Sequence, residues 1–97
     1  MAIYVDDLRR WGWKLRGHET PSCHLFTDAL DLEELHAFAE QIGMRRRWFQ
    51  SHRVTPHYDL TPTRRQAALI HGAIEVDRRS AVALWRARRL LLVTSSA

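Results

Sequence analysis

The sequence has few of the features that mark secreted or membrane-bound proteins. Cys23 is the only cysteine among 97 residues, which excludes an internal disulfide and indicates a reducing compartment. No apolar run approaches the roughly 18 residues needed to cross a bilayer. The first residues carry neither the basic nor the apolar region of a signal peptide. We therefore expect a cytoplasmic protein with no membrane partner.

The short motifs that define common nucleotide-binding and hydrolytic sites are also missing. The four glycines are scattered, and the chain contains no GxGxxG, P-loop or GxSxG sequence. Cys23-His24 has no CxxC partner, and no histidine pair has the spacing of an HExxH zinc motif. A ligand site in this chain must therefore be assembled by the fold from separate segments.

Arginine, by contrast, is abundant. Of the 15 basic residues, only Lys14 is a lysine. Residues 1–44 have four basic and eight acidic residues, whereas residues 45–97 have eleven basic and three acidic ones. Because guanidinium groups bind phosphates and carboxylates through paired hydrogen bonds, the basic half indicates an anionic ligand. A GC-rich genome is an alternative explanation for the ratio of arginine to lysine, although it explains the clustering less well.

Two helix starts are the clearest structural signals. Asp31 and Glu34 form a capping box, and apolar residues three and four apart continue the pattern to Gly43. Thr61-Pro62 combines a capping hydroxyl with proline at the first helical position, which predicts a helix to His71. A third helix is predicted to be capped by Asp77 or by Ser80.

Short β-prone runs between these helices predict four strands, at residues 3–5, 24–27, 46–50 and 73–76. The segments 8–22 and 51–60 are predicted to be loops, with a short strand near Trp11 to Leu15 as an alternative in the first. Strands that alternate with helices favour right-handed crossovers, hence parallel pairing. The sequence therefore predicts one domain, residues 1–97, with a small three-layer α/β fold. Its four-stranded sheet is expected to be mainly parallel, in the order β-β-α-β-α-β-α. The alternative is a two-layer α+β sheet, since the first two strands could pair antiparallel.

Polar residues gather after the predicted strands, where ligands bind in open parallel sheets. Asp6 follows the first strand and Gln50 follows the third. The next loop contains His57, Tyr58 and Asp59, in which the histidine and the carboxylate could act as a general acid/base pair. The catalytic candidates are therefore His57, Asp59 and Asp6, and the candidate ligand-binding residues include Gln50 and Tyr58. The structural alternative is a polar loop packed by Tyr58.

The start of the second predicted helix is a candidate anion site. Arg64 and Arg65 lie in its first turn, where they oppose the helix dipole unless an anion is bound there. The alternative is that both arginines are solvated or paired with carboxylates. No cofactor is required by the sequence, but Asp6, Asp7 and Asp59 are candidate Mg²⁺ ligands if the fold brings them together.

Two basic segments suggest macromolecular partners. Arg45-Arg46-Arg47 precedes Trp48-Phe49, a combination that can bind nucleic acid through phosphate contacts and base stacking. The alternative is a core strand with Trp48 facing inward. The last helix has a basic outer surface, which is either a solvated face or a site for an acidic partner. Its arginines are Arg78, Arg79, Arg86, Arg88 and Arg89.

Tyr4-Val5-Asp6 near the start and His57-Tyr58-Asp59-Leu60 past the middle resemble a small family of bacterial and phage domains. The Leu35–Ala39 helix lies between the two motifs, and the likeness covers most of residues 2–77. The family is known only as a domain of unknown function. The resemblance implies a compact domain of bacterial or phage origin and draws attention to Asp6, His57, Tyr58 and Asp59, but it implies no activity.

Two functions of different class follow from these patterns. The leading hypothesis is a domain that binds a phosphate-bearing ligand, a nucleotide or a nucleic acid, with a hydrolase-like or nuclease-like activity as its extension. The alternative is a non-enzymatic protein-interaction module, phage-encoded and acting on a host complex, or binding a second copy of itself. A ligand site predicts loss of function at Arg64 or His57. An interaction module predicts loss at Arg86, Arg88 or Trp11, because arginine and tryptophan are favoured at interfaces.

Overall fold

The computed structural model describes residues 2–10, 12 and 14–95, with the side chain of Ser95 excepted. Within these residues six strands and three α-helices follow one another. The strands are β1 Ile3–Val5, β2 Lys14–Leu15, β3 His18–Glu19, β4 Cys23–Thr27, β5 Tyr58–Leu60 and β6 Ile74–Glu75. The helices are α1 Glu33–Gln41, α2 Pro62–Ile70 and α3 Arg78–Ser95, and a 3-10 turn at Arg46–Trp48 precedes β5.

The main sheet is mixed, and the prediction of a mainly parallel sheet is wrong. Its strand order is β5-β4-β1-β6, with β1–β4 and β4–β5 antiparallel and β1–β6 parallel. The link between β1 and β4 contains the hairpin of β2 and β3 rather than a crossover helix, so the chain returns antiparallel. Ahead of β5, a bridge between Gln50 and His57 reverses the chain.

One predicted strand is absent from the described structure, and another lies where a loop was expected. Residues 46–48 form a 3-10 turn with exposed side chains, so neither a strand at 46–50 nor an inward-facing Trp48 is present. The strand next to β4 is β5 instead, in which Tyr58 and Leu60 are buried on either side of half-buried Asp59. The sequence did not predict β5, because its short alternation of buried residues lies among polar neighbours.

The three helices are present, and the capping predictions are largely confirmed. The Thr61 hydroxyl accepts a hydrogen bond from the N–H three residues on, with Pro62 at the first helical position. Asp77, not Ser80, caps α3, because its carboxylate accepts from the Ser80 N–H at 2.7 Å. Asp31 lies one residue too early to cap α1, and its carboxylate accepts from the Glu33 N–H instead. None of the described helices is long and apolar enough to cross a membrane.

The two faces of the sheet differ in chemistry. The apolar face packs against α1 and α2 in the main core, where Leu35, Ala39 and Ala68 are fully buried. Its sheet residues are Ile3, Val5, Cys23, Leu25, Tyr58 and Leu60. The opposite face, called the polar face below, carries Tyr4, Asp6, His24, Phe26 and Asp59. Here Trp85 of α3 lies 5.3 Å from the Phe26 ring and 5.8 Å from the His24 ring.

Candidate functional site

The polar face carries a group of four side chains from three adjacent strands, called the histidine cluster below. It consists of Asp6, His24, His57 and Asp59. His24 in β4 is the direct cross-strand partner of Asp59 in β5. Asp6 directly follows β1, and His57 shares the orientation of Asp59 because side chains two residues apart face the same side of a strand. Antiparallel pairing therefore brings together residues that are far apart in sequence.

Asp6 fixes the position of His24. The Asp6 side chain is buried, and both of its carboxylate oxygens contact that residue. The backbone N–H of His24 donates to Oδ1 at 2.6 Å, and the ring Nδ1 lies 2.7 Å from Oδ2. Because an ionised carboxylate only accepts hydrogen bonds, Nδ1 carries the ring proton. The structure thus places Asp6 in the cluster as the group that orients His24.

His57 and Asp59 form the second pair of the cluster, in which Asp59 is the more exposed side chain. His57 Nδ1 donates to the Thr55 carbonyl at 2.6 Å, and its Nε2 lies 3.5 Å from Asp59 Oδ1. Burial opposes the positive charge on His57, but the hydrogen bonds to Asp59 and to Thr55 outweigh it and raise the pKa of His57. The hydrogen bond with His57 lowers the pKa of Asp59 although the carboxylate is partly buried. The arrangement can therefore hold or transfer a proton at Nε2.

Tyr58 does not join this group. It points to the apolar face, where its hydroxyl lies 2.7 Å from His36 Nδ1 in the core. Burial raises the pKa of Tyr58 and lowers that of His36, so both groups are held neutral. Tyr58 therefore stabilises the contact between β5 and α1, on the side of the sheet opposite His57 and Asp59.

A groove of about 520 Å³ adjoins the histidine cluster and is called the arginine groove below. Two predicted ligand-binding residues, Gln50 and Arg64, line it. Asp59 lines it as well and so belongs to both the groove and the cluster. The 3-10 turn adds Arg47 and Trp48, and the Trp48 side chain is 40% exposed. The groove thus combines two guanidinium groups with an accessible aromatic ring.

Arg64 also has a structural task. Its Nη1 donates to the Ile42 carbonyl at the end of α1. The guanidinium lies against Gly43, whose φ of +82° is left-handed and where a Cβ would collide with it. Arg64 therefore closes the C-terminal end of α1 at the wall of the groove, and the glycine that ends α1 makes room for it.

The remaining predicted residues have other positions. Arg65 Nε donates to the Asp6 carbonyl at 3.0 Å, and its Nη2 lies 3.6 Å from Glu75, so Arg65 ties α2 to the sheet. Asp7 lines a separate pocket of about 100 Å³ beside Asp6 and His24. The three acids proposed as Mg²⁺ ligands do not form a common ligand group among the described residues, where the atoms that come within 4.8 Å of one another belong to His24, His57 and Asp59.

The outer surface of α3 also differs from the prediction at one position. Arg88 is only 3% exposed and points inward. It donates to the carbonyl oxygens of Ala29, Arg53 and Leu30. Arg86 is exposed as expected, whereas Trp11, proposed as an interface residue, lies outside the described residues.

Sequence analysis missed several residues that build the site. His24 was set aside because it lacked a zinc motif, and its position opposite Asp59 depends on strand pairing. Its place in an alternating strand, facing away from Cys23 and Leu25, was the available signal. Thr55 gave no sequence signal, because its role is that of a backbone carbonyl.

The comparisons with known proteins agree with the coarse part of the expected resemblance. No curated protein and no solved structure matches the chain. One family model matches residues 3–88, a range that includes the whole histidine cluster and all residues of the arginine groove. On the strength of that match, the chain belongs to the family described as protein of unknown function DUF4031.

Proposed function

We propose that this domain binds a phosphate-bearing ligand, a nucleotide or a single-stranded nucleic acid, in the arginine groove. The observation that carries the proposal is the combination of Arg47 and Arg64 with exposed Trp48 in one groove. Arginines bind phosphate oxygens through paired hydrogen bonds, and an aromatic ring offers a surface on which a base can stack. The volume of about 520 Å³ lies in the range of ordinary small-molecule sites.

The polar groups next to Trp48 support a nucleotide over inorganic phosphate. Gln50 can both donate and accept hydrogen bonds, which suits a base edge. Asp59 would repel phosphate but can accept from a ribose hydroxyl or contact a metal ion. Arg45 lies 5.8 Å from the Trp48 ring and adds positive charge beside that ring. The phosphate is therefore expected near Arg47 and Arg64, with the sugar towards Asp59.

The proposal extends to a hydrolytic reaction at the same place. His57 Nε2 would take a proton from a water molecule whose oxygen forms a bond to phosphorus. The ester P–O bond then breaks, and the leaving oxygen takes up a proton from solvent. Support comes from Nδ1 of His57, whose hydrogen bond to Thr55 leaves Nε2 as the basic nitrogen. His57→Ala should abolish such an activity, and an undiminished rate in that variant would contradict the role.

The binding proposal is tested by calorimetric titration with mononucleotides and short single-stranded RNA and DNA at two salt concentrations. We expect saturable binding that Arg47→Ala weakens at least about tenfold, because a charge-assisted hydrogen bond is lost. Arg89→Ala is the matched control, since it removes one exposed arginine from α3, away from the groove lining.

Three outcomes of that titration would contradict the proposal. Equal weakening by Arg47→Ala and Arg89→Ala, with a steep salt dependence, would indicate a general basic surface instead. An unchanged affinity in Trp48→Ala would contradict the proposed stacking of a base on Trp48. Absence of binding to every ligand would refute the proposed function.

A protein partner remains the second candidate function. Its support is the exposed apolar side chains of α3, with Leu90 68% and Val93 59% exposed beside the exposed Arg86 and Arg89. The self-association form of this hypothesis predicts a concentration-dependent dimer in analytical ultracentrifugation that Leu90→Glu abolishes. A monomer at all concentrations would contradict it.

The cellular setting also belongs to this proposal. The single cysteine supports a cytoplasmic location. Bacterial or phage origin rests on the resemblance of the YVD and HYDL motifs alone.

A further inference from the structure

The histidine cluster has the geometry of a metal site that no sequence motif predicts. His24, His57 and Asp59 each offer one ligand atom, and these atoms lie within 4.8 Å of one another. His57 Nε2 and Asp59 Oδ1 are 3.5 Å apart. Two ligands on one tetrahedral zinc ion are about 3.3 Å apart, since each bond is about 2.0 to 2.1 Å long. One edge of the coordination shell is therefore formed, and side-chain movements that shorten separations of up to 4.8 Å would complete the shell.

The contact between His57 and Asp59 is compatible with a cation between the two side chains. The Thr55 carbonyl can only accept, so Nδ1 of His57 carries a proton and Nε2 is the ring atom that faces the Asp59 carboxylate. The 3.5 Å between Nε2 and Asp59 Oδ1 can be bridged by a proton on Nε2 or by a metal ion. A divalent ion would satisfy both.

Both histidines also have the supporting contacts that metal-binding histidines usually have. His24 Nδ1 is held by the buried carboxylate of Asp6 at 2.7 Å, and His57 Nδ1 by the Thr55 carbonyl at 2.6 Å. Such partners fix the ring orientation and the tautomer, so that Nε2 is the nitrogen that coordinates. Asp6 accepts from the backbone N–H of His24 as well, which makes this support rigid.

We infer that His24, His57 and Asp59 bind one divalent transition-metal ion, best fitted by Zn²⁺, with Asp6 as the positioning residue for His24. Two imidazoles and one carboxylate suit zinc and similar ions, whereas Mg²⁺ prefers an octahedral shell of oxygens. Three protein ligands leave a fourth position for water or another ligand. Because a coordinating lone pair cannot also accept a proton, His57 Nε2 is a ligand in the metal-bound protein and can act as a base only in the metal-free protein. Asp59 also lines the arginine groove, so the ion lies at its edge.

The inference is tested on the full chain after treatment with a chelator and without any nucleotide, so that it stands or falls separately from the proposed function. Zinc chloride is titrated by calorimetry, and cobalt chloride is titrated by visible absorption, whose intensity distinguishes four from six ligands. We expect one ion per chain, an intense four-coordinate cobalt spectrum and no displacement of the metal by excess magnesium chloride.

The variants distinguish ligand from positioning residue. Asp59→Asn is the main test because that side chain is 42% exposed and the change is isosteric, so the fold should persist by circular dichroism. Asp6→Asn should weaken zinc binding about 10-fold to 100-fold with unchanged stoichiometry, and Asp59→Asn should weaken it further. His71→Ala, which removes an exposed histidine on the end of α2, should bind like the unchanged protein.

Several results would overturn the inference. They are the absence of 1:1 zinc binding, an equal loss in His71→Ala and Asp59→Asn, or Mg²⁺ binding as tight as Zn²⁺ binding. Arg47→Ala should leave zinc affinity unchanged. A chain that binds zinc but no nucleotide would support the metal site while refuting the proposed function.

Discussion

The two faces of the main sheet are built from the same strands but have different roles: one packs in the core, and the other carries the histidine cluster. In β4, Cys23 and Leu25 are almost fully buried on the apolar face, whereas His24 between them faces the polar side. In β5, Tyr58 contacts the core, and Asp59 lies beside the histidine cluster. Side-chain alternation therefore separates stability from chemistry within single strands. Substitutions on the apolar face should affect folding, and those in the histidine cluster should affect ligands.

The largest contrast is expected at Leu25. Its side chain is fully buried, so Leu25→Ala should lower the free energy of unfolding by about 3 kcal/mol through lost burial and a residual cavity. Leu15→Ala is the matched control, because that strand leucine is 44% exposed. Urea unfolding should show a change below about 1 kcal/mol for the control. Similar losses in both variants would contradict the assignment of the core to this face.

Arg88 lies on α3, which packs on the polar face, but it is buried and is expected to contribute to stability. It therefore tests whether α3 is firmly attached. Arg88→Met keeps much of the side-chain length but leaves carbonyl oxygens, above all that of Ala29 at 2.7 Å, without their donor. The loss should be about 2 kcal/mol in chemical unfolding. Arg89→Met changes an exposed neighbour and should have an effect within about 0.5 kcal/mol. If the two variants matched, α3 would not be anchored through Arg88.

A hydroxyl on each face allows a finer comparison. Tyr58→Phe leaves buried His36 without its 2.7 Å partner and should destabilise the protein by about 1 to 2 kcal/mol. Tyr4→Phe removes a longer contact of 3.4 Å to Asp28 at a part-buried position and should cost less. Zinc affinity should be unchanged in both, and a loss of metal in Tyr58→Phe would contradict the separation of the faces.

The smallest effect is the response of the apolar face to alkaline pH. Burial raises the pKa of the Cys23 thiol to about 12, from an unfolded value near 9. The folded thiol therefore stays protonated while the unfolded one ionises, so its contribution is complete below pH 9 and falls as the pH rises towards 12. At pH 10 the loss should be about 1 kcal/mol. Cys23→Ala should lack this part of the pH dependence in urea unfolding, and an identical slope would contradict the burial of the thiol.

Sequence analysis located the elements better than their arrangement. Thr61-Pro62 and Asp77 specify helix starts through local hydrogen bonds, so these predictions are confirmed. The direction of strand pairing depends on how the 8–22 segment folds back. No local sequence pattern predicts that path. β5 was missed because its three residues lie among polar neighbours and are stabilised by pairing with β4.

The candidate site was predicted only in part, because its assembly also depends on strand pairing. His57, Asp59 and Asp6 were proposed together, and the structure brings them to one cluster. Tyr58 and Arg65 were proposed with them but serve the core and the helix attachment. Whether any of these residues binds a ligand stays a prediction. His24 became visible only through its strand register opposite Asp59.

The sequence by itself determined the three helices and the caps of α2 and α3, because these follow from interactions between residues a few positions apart. Only the tertiary structure decided that Asp6, His24 and Asp59 meet and that Arg64 and Trp48 share a groove. Such contacts join residues more than fifteen positions apart. They depend on strand order and direction, which hydrophobic burial over the whole domain selects rather than any local preference.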